Sequence, residues 1–297
     1  MRSGPDRGST AGETGKLRGL AGVAAALVAG TLLVAAYWPV LRSTYNSWFD
    51  GAAYMEHGIL VIPVAACMVW ARRSVLAGVP VAPSALGAVL VLCGAAQALL
   101  GEAAHWNWVS RTALLTSLAG CIAALYGWRM LRALLFPLVT LVFMIAPPTF
   151  LFERATIGLQ LLSSRLGAKM LEALGYTVLR EGNVLEMVGA KLSVADACSG
   201  IRSLPAIVFV SVVYSYFFVH ARLTRVLIVL LAVPIAILAN ASRIVATGIS
   251  SQYNRQLMEG QAHEVFGYLS VAAAGAGCVA VHLAALYIQK VRRARRA

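Results

Sequence analysis

Apolar residues in this chain fall in long runs, each closed by a short polar or basic segment. Runs near the length that crosses a bilayer, about 20 residues, lie at 20–41, 58–71, 84–101, 109–128, 133–152, 201–219, 226–247 and 265–288. The pattern predicts an all-α integral membrane protein with about eight transmembrane helices. The 58–71 run is short and needs its flanks or a tilt to span. One long stretch, 153–199, breaks the pattern. In its first half Ile157, Leu161, Leu162, Leu166, Met170 and Leu174 form one helical stripe, opposed by Arg154, Ser164, Arg165, Lys169 and Glu172. That is the signature of an amphipathic helix lying in the membrane interface. Its second half switches to short Val- and Leu-rich runs broken at Gly182–Asn183 and at Gly189, which predicts two or three small strands joined by turns.

Composition points the same way: 60% of residues are hydrophobic and 12% charged, with a mean hydropathy of +0.76, far from a soluble globule. The net charge of +13 alone would suggest nucleic acid, but the placement of the basic residues argues against it. Arg2, Arg7, Lys16, Arg18, Arg72, Arg73, Arg129, Arg132, Arg222, Arg225, Lys290, Arg292, Arg293, Arg295 and Arg296 fall on one side of an eight-span topology. The short loops on the other side carry only Arg42, Arg111 and Arg255. The positive-inside rule then puts both termini in the cytoplasm and the 153–199 segment outside. Residues 1–18, rich in Gly, Ser and Thr, are expected to form a disordered cytoplasmic tail. Residues 19–289 form one polytopic domain, and 290–297 a basic cytoplasmic tail. The first apolar run continues through Tyr37 and Trp38 without a clean small-residue cleavage site, so it is read as a membrane helix and not a signal peptide.

The five cysteines separate by position. Cys67, Cys93, Cys121 and Cys278 lie within apolar runs, where small buried thiols with a packing role are expected. Cys198 stands at the outer boundary ahead of a helix, in "ADACSGIRSL", with no external cysteine to pair with. It is either an incidental thiol or a nucleophile, because helix-terminal amides and a cation such as Arg202 would favour its thiolate. Asn240 and Arg243 interrupt an apolar helix toward its outer end. Such residues either snorkel to the surface or face the bundle interior, where a cation would steady a thiolate or an oxyanion. His263 begins the last helix at a similar depth. Thiol, guanidinium and imidazole on one face of the membrane are the parts of cysteine acyl transfer.

Set in order, "SWFDGAAYMEHGILVIPVAACMVWARR", "LLFPLVTLVFMIAPP", "GLQLLSSRLGAKMLEALGYTVLREGNVLEM", "ACSGIRSL", "ANASRIVATG" and "HEVFGY" resemble the exosortase and archaeosortase family of membrane-embedded cysteine sorting enzymes. The resemblance implies a protease and transpeptidase of the bacterial cytoplasmic membrane. Its substrates would be membrane-anchored proteins ending in a short motif, a transmembrane helix and a basic tail, a PEP-CTERM-like sorting signal. It implies Cys198 as nucleophile, Arg243 as stabilising cation and His263 as acid/base partner, with the site on the external face. A lipid or glycan amine, or water, would receive the acyl group. Asp196, Ser199, Arg202 and Asn240 are candidates for supporting or substrate-binding roles, each equally open to a structural one, as is His57 in the first outer loop. His105, His220 and His282 have no visible partners.

Rival classes fit less of the chain. A rhomboid-like serine protease using Ser199 would want Gly-x-Ser-Gly, where Ala197 stands in the first glycine's place. A transporter or channel would give Arg243 and Asn240 a task but none to Cys198 or the strands. The chain has no His-Glu-x-x-His element, phosphate-binding loop or dinucleotide fingerprint, so neither metal nor cofactor is expected.

Overall fold

The computed structural model describes residues 7–49, 55–188, 190–193, 203–253 and 261–295, with backbone alone for 7–21 and most of 261–270. Of the described residues 82% are helical, and the chain divides into two units, Met1–Ala146 and Pro147–Ala297. Among the described residues, four helical segments are long and apolar enough to cross a bilayer: Ala85–Ala103, Asn107–Tyr126, Arg222–Gln252 and Val271–Arg292. The number rises to six if each of two broken helix pairs crosses as one span. The chain is therefore a multi-pass, all-α membrane protein.

The first unit contains α1 (Arg7–Ala36), α2 (Trp38–Phe49), α3 (Gly58–Ala71), α4 (Arg73–Ala77), α5 (Ala85–Ala103), α6 (Asn107–Tyr126), α7 (Trp128–Thr140) and a 3₁₀ turn, Leu141–Met144. Helical backbone starts at Arg7, inside the stretch expected to be a tail, because extending an existing helix adds a hydrogen bond for each residue fixed. The first apolar run bends by 68° between α1 and α2. Pro39 has no N–H to bond back to the preceding turn, and the Tyr37 hydroxyl at the bend meets Ser117 Oγ at 2.7 Å and donates to the Ala113 carbonyl at 3.3 Å.

α5 and α6 pack closely against each other. Gly87, Gly94 and Gly101 recur every seven residues along α5, and a Cβ at each would collide with α6 at Ala123–Ala124, Ser117 and Ser110 respectively. Without side chains the backbones approach closely, the usual device for joining helices in lipid. Gln97 crosses the same seam: Nε2 donates to the Val109 carbonyl at 3.2 Å and to Thr112 Oγ1 at 2.9 Å, and Oε1 accepts from Thr116 at 3.0 Å.

The expected 133–152 span is not one helix. α7 stops at Thr140, the 3₁₀ turn ends at Met144, and a new helix begins at Thr149, because Pro147 and Pro148 supply no N–H and push the residues before them out of the helical region. Two other expected spans are short apolar helices, Gly58–Ala71 and Leu204–Phe218. At 1.5 Å per residue, the 14 residues of α3 reach about 21 Å, less than the hydrocarbon thickness of about 30 Å.

The second unit runs α8 (Thr149–Ala173), β1 (Val178–Glu181), β2 (Val184–Met187), β3 (Ala190–Ser193), α9 (Ser203–Phe218), α10 (Arg222–Tyr253) and α11 (Gln261–Ala294). The strands form an antiparallel sheet in the order β1-β2-β3. Gly182 has a φ of 64°, the left-handed conformation required at the first position of this two-residue turn. Leu185 lies opposite Leu192, and with Met187 they bury one sheet face against Ala168 and Leu171 of α8 and Ile244 and Val245 of α10. A second core joins α9, α10 and α11 through Ile207, Ile228, Ala232, Ala236, Ala274 and Cys278.

The expectation of four buried thiols needs correction. Cys278 is buried, but Cys121 is only partly so, and Cys67 and Cys93 lie on exposed helix faces. A thiol is apolar enough to face lipid as readily as a core.

Candidate functional site

α10 carries the clearest concentration of unusual chemistry among the described residues. Asn240, Arg243, Thr247 and Ser251 follow one another at spacings of three, four and four, which places them along one side of a helix. Asn240, Thr247 and Ser251 are buried and Arg243 is partly buried. The stripe lies beside the face of α10 that packs on the rest of the unit. There a Cβ at Gly167 of α8 would press on Ile244, and one at Gly248 would meet Met187 Sδ at 3.2 Å. Small residues thus bring α8, the sheet and α10 together and hold the polar stripe in place.

Hydrogen bonding separates the members of the stripe. Ser251 satisfies itself by donating to the Gly248 carbonyl at 2.6 Å. Asn240 Oδ1 and Thr247 Oγ1 have no hydrogen-bond partner among the described residues. A buried polar atom left so costs roughly 1–3 kcal/mol, the kind of expense that marks functional positions. Asn240 and Arg243 stand out in the sequence as candidates; Thr247 does not. Its signal was present as the i, i+7 spacing from Asn240, although a lone threonine in an apolar helix draws no attention. Depth is consistent with a boundary role. Arg243 stands 21 residues after Arg222, about 32 Å along the helix, a distance close to the hydrocarbon thickness.

Other predicted site residues are placed less fully. Cys198, Asp196, Ser199 and Arg202 lie outside the described residues, between β3 and α9. His263 occupies the first turn of α11, where the backbone is described and the side chain is not. His57 belongs to the first unit, directly before α3. Its ring donates to the Phe143 backbone carbonyl, while burial, the larger effect, pulls its pKa below the ordinary histidine value. His282, expected to stand alone, meets the Tyr214 hydroxyl at 2.8 Å through Nδ1.

Comparison with known proteins identifies the family. Residues 48–280 match the family described as Transmembrane exosortase (Exosortase_EpsH), and the chain belongs to it. Its members are membrane sorting proteases and transpeptidases that act on secreted proteins carrying C-terminal sorting signals. No curated protein and no solved structure matches the chain.

Proposed function

We propose that the chain is a cysteine transpeptidase or protease of the cytoplasmic membrane that removes the C-terminal sorting signal of exported, membrane-anchored proteins. Cys198 is the nucleophile. Its thiolate attacks the scissile carbonyl, and the resulting oxyanion is stabilised by the Arg243 guanidinium. The tetrahedral intermediate collapses as His263 protonates the departing amine, which leaves a thioacyl-enzyme and the freed helix with its basic tail. An amine acceptor or water then attacks the thioester, His263 takes its proton, and the thiolate is restored. In this reading the chain crosses the membrane eight times, with both termini cytoplasmic and the site on the external face.

The observation that carries the proposal is the family match over 48–280, which contains Cys198, Arg243 and His263 in order. The buried Asn240 and Thr247 beside Arg243 support it by marking α10 as more than a membrane anchor.

The test is a substrate ending in motif, apolar helix and basic tail, co-expressed with the enzyme. Cys198→Ala is expected to abolish cleavage with insertion unchanged, and Cys198→Ser to be nearly as inactive, because a hydroxyl ionises far less readily than a thiol. Arg243→Lys is expected to fail for want of a planar, two-pronged donor. Mass spectrometry of Cys198 should find the thioacyl adduct. Full cleavage by folded Cys198→Ala would end the cysteine mechanism.

A further inference from the structure

The three strands raise a question the helices do not: what the edge of β3, unpaired among the described residues, is for. The two-residue turn at Gly182–Asn183 joins Glu181 to Val184, and such a turn closes with a backbone hydrogen bond between its flanking residues. Hydrogen-bonded and non-bonded pairs alternate along an antiparallel ladder, so Val184 and Glu186 of β2 turn their N–H and C=O groups toward β1. Leu185 and Met187 therefore turn theirs toward β3, where they face Leu192 and Ala190. That leaves the N–H and C=O groups of Lys191 and Ser193 aimed away from the sheet. β3 is an edge strand, and no other strand among the described residues pairs with it.

Two of the customary devices that blunt such an edge, a proline and a charge pointing out along it, are missing from these four residues. The strand, "AKLS", contains no proline. Its one charge, Lys191, pairs across the sheet with Glu186, so the ammonium is drawn over the sheet face and not out along the edge. Leu192 is buried in the core formed with α8 and α10, which fixes the strand. The strand also leads into the candidate nucleophile: Ser193 precedes Cys198 by five residues, at most about 18 Å of extended chain.

We propose that the motif segment of the substrate binds as a fourth strand on the outer edge of β3, with its main chain bonded to the N–H and C=O groups of Lys191 and Ser193. This rests on the reading of Cys198 as nucleophile and adds to it the mode of substrate recognition. Strand addition suits the task, since main-chain bonds supply affinity for any extended segment while alternate side chains remain available for specificity. It also holds the scissile bond in the extended form that thiolate attack requires.

The test places the probe in the substrate. A fusion protein ending in motif, apolar helix and basic tail is assembled by peptide ligation with one backbone N-methyl group at a time through the motif, and processed by the full-length enzyme in lipid nanodiscs. Methylation at alternate positions is expected to lower kcat/KM by roughly three- to tenfold or more, mainly through KM, with the intervening positions tolerated. Lys191→Pro and Ser193→Pro, which delete the outward N–H groups, should produce the same KM increase. Arg180→Pro, on the far edge of the sheet, should not. An equal response at every substrate position would overturn the proposal, as would wild-type KM in both folded proline variants of β3. Methylation leaves the enzyme unaltered, so the test stands even where a proline variant fails to fold. Processing that persists in Cys198→Ala would defeat the parent reading; Cys198-dependent processing without alternation would defeat this inference alone.

Discussion

Trp48 donates its indole N–H to the carbonyl of Met144 at 2.9 Å across 96 residues of chain. The acceptor is free because the 3₁₀ turn Leu141–Met144 is followed by Pro147 and Pro148, which cannot donate the bonds that would continue a helix. Gly58 permits the arrangement, since a Cβ there would collide with the Trp48 indole. Trp48→Phe keeps the ring but strands a buried carbonyl, at an expected cost of about 1–3 kcal/mol. Gly58→Ala should destabilise the first unit through the collision itself. Thermal unfolding in detergent checks both, and an unchanged Tm in Trp48→Phe would show that water replaces the indole.

His57 predicts a pH dependence. Burial lowers its pKa below 6.5, the bond to the Phe143 carbonyl opposing part of that shift. Well above pH 6.5 the ring is neutral in folded and unfolded chains alike, and no pH-dependent penalty arises. As pH falls through 6.5 the unfolded chain takes up the proton first, so stability declines until the lower folded pKa is reached. His57→Gln should flatten the Tm profile as pH falls below about 6.5 while keeping a donor for Phe143. A variant that loses stability on acidification as steeply as wild type would assign the slope to other groups.

The seam between α5 and α6 predicts a contrast between glycines. A Cβ at Gly94 would collide with Ser117, including its backbone nitrogen, whereas Gly30 of α1 has nothing within 4 Å. Gly94→Ala is expected to cost about 1–3 kcal/mol through overpacking. Gly30→Ala should be neutral or slightly stabilising, because alanine is the better helix former. Equal stability of the two variants would mean that the helices separate without penalty.

These cases show which features were legible in the sequence. Membrane character and the polar interruptions of α10 have local causes, namely long apolar runs and an arginine inside one of them. The turn at Gly182 is equally local, a glycine where positive φ is needed. Helix continuity was less legible. The 133–152 run is apolar throughout, yet two adjacent prolines and a carbonyl acceptor for a distant tryptophan divide it, and hydropathy weighs none of these. The pairing of His282 with Tyr214 joins α9 to α11, and Thr247 became visible as a candidate only once its burial was known. Both depend on which helix faces meet, and the run of residues along one helix does not specify that.

Thr247 carries the last prediction because stability and function should respond to it in opposite directions. Its side chain is fully buried, with no hydrogen-bond partner for Oγ1 among the described residues. Valine has almost the same shape without the hydroxyl. If the hydroxyl only fills space, Thr247→Val removes a desolvated polar atom, and the protein should become more stable by up to about 1–2 kcal/mol with processing unchanged. If the stripe of Asn240, Arg243 and Thr247 serves the reaction, the same substitution should leave Tm equal or higher yet lower processing at least about tenfold, the trade expected where a site is held at the expense of stability. The second outcome is the expected one, because Asn240 Oδ1, on the same side of α10, shares the same condition and two such atoms on one stripe are hard to ascribe to packing. Measuring Tm and cleavage on a single preparation separates the alternatives. Wild-type processing by both Thr247→Val and Asn240→Leu would reduce the stripe to packing and leave Arg243 as the only member of α10 in the proposed chemistry.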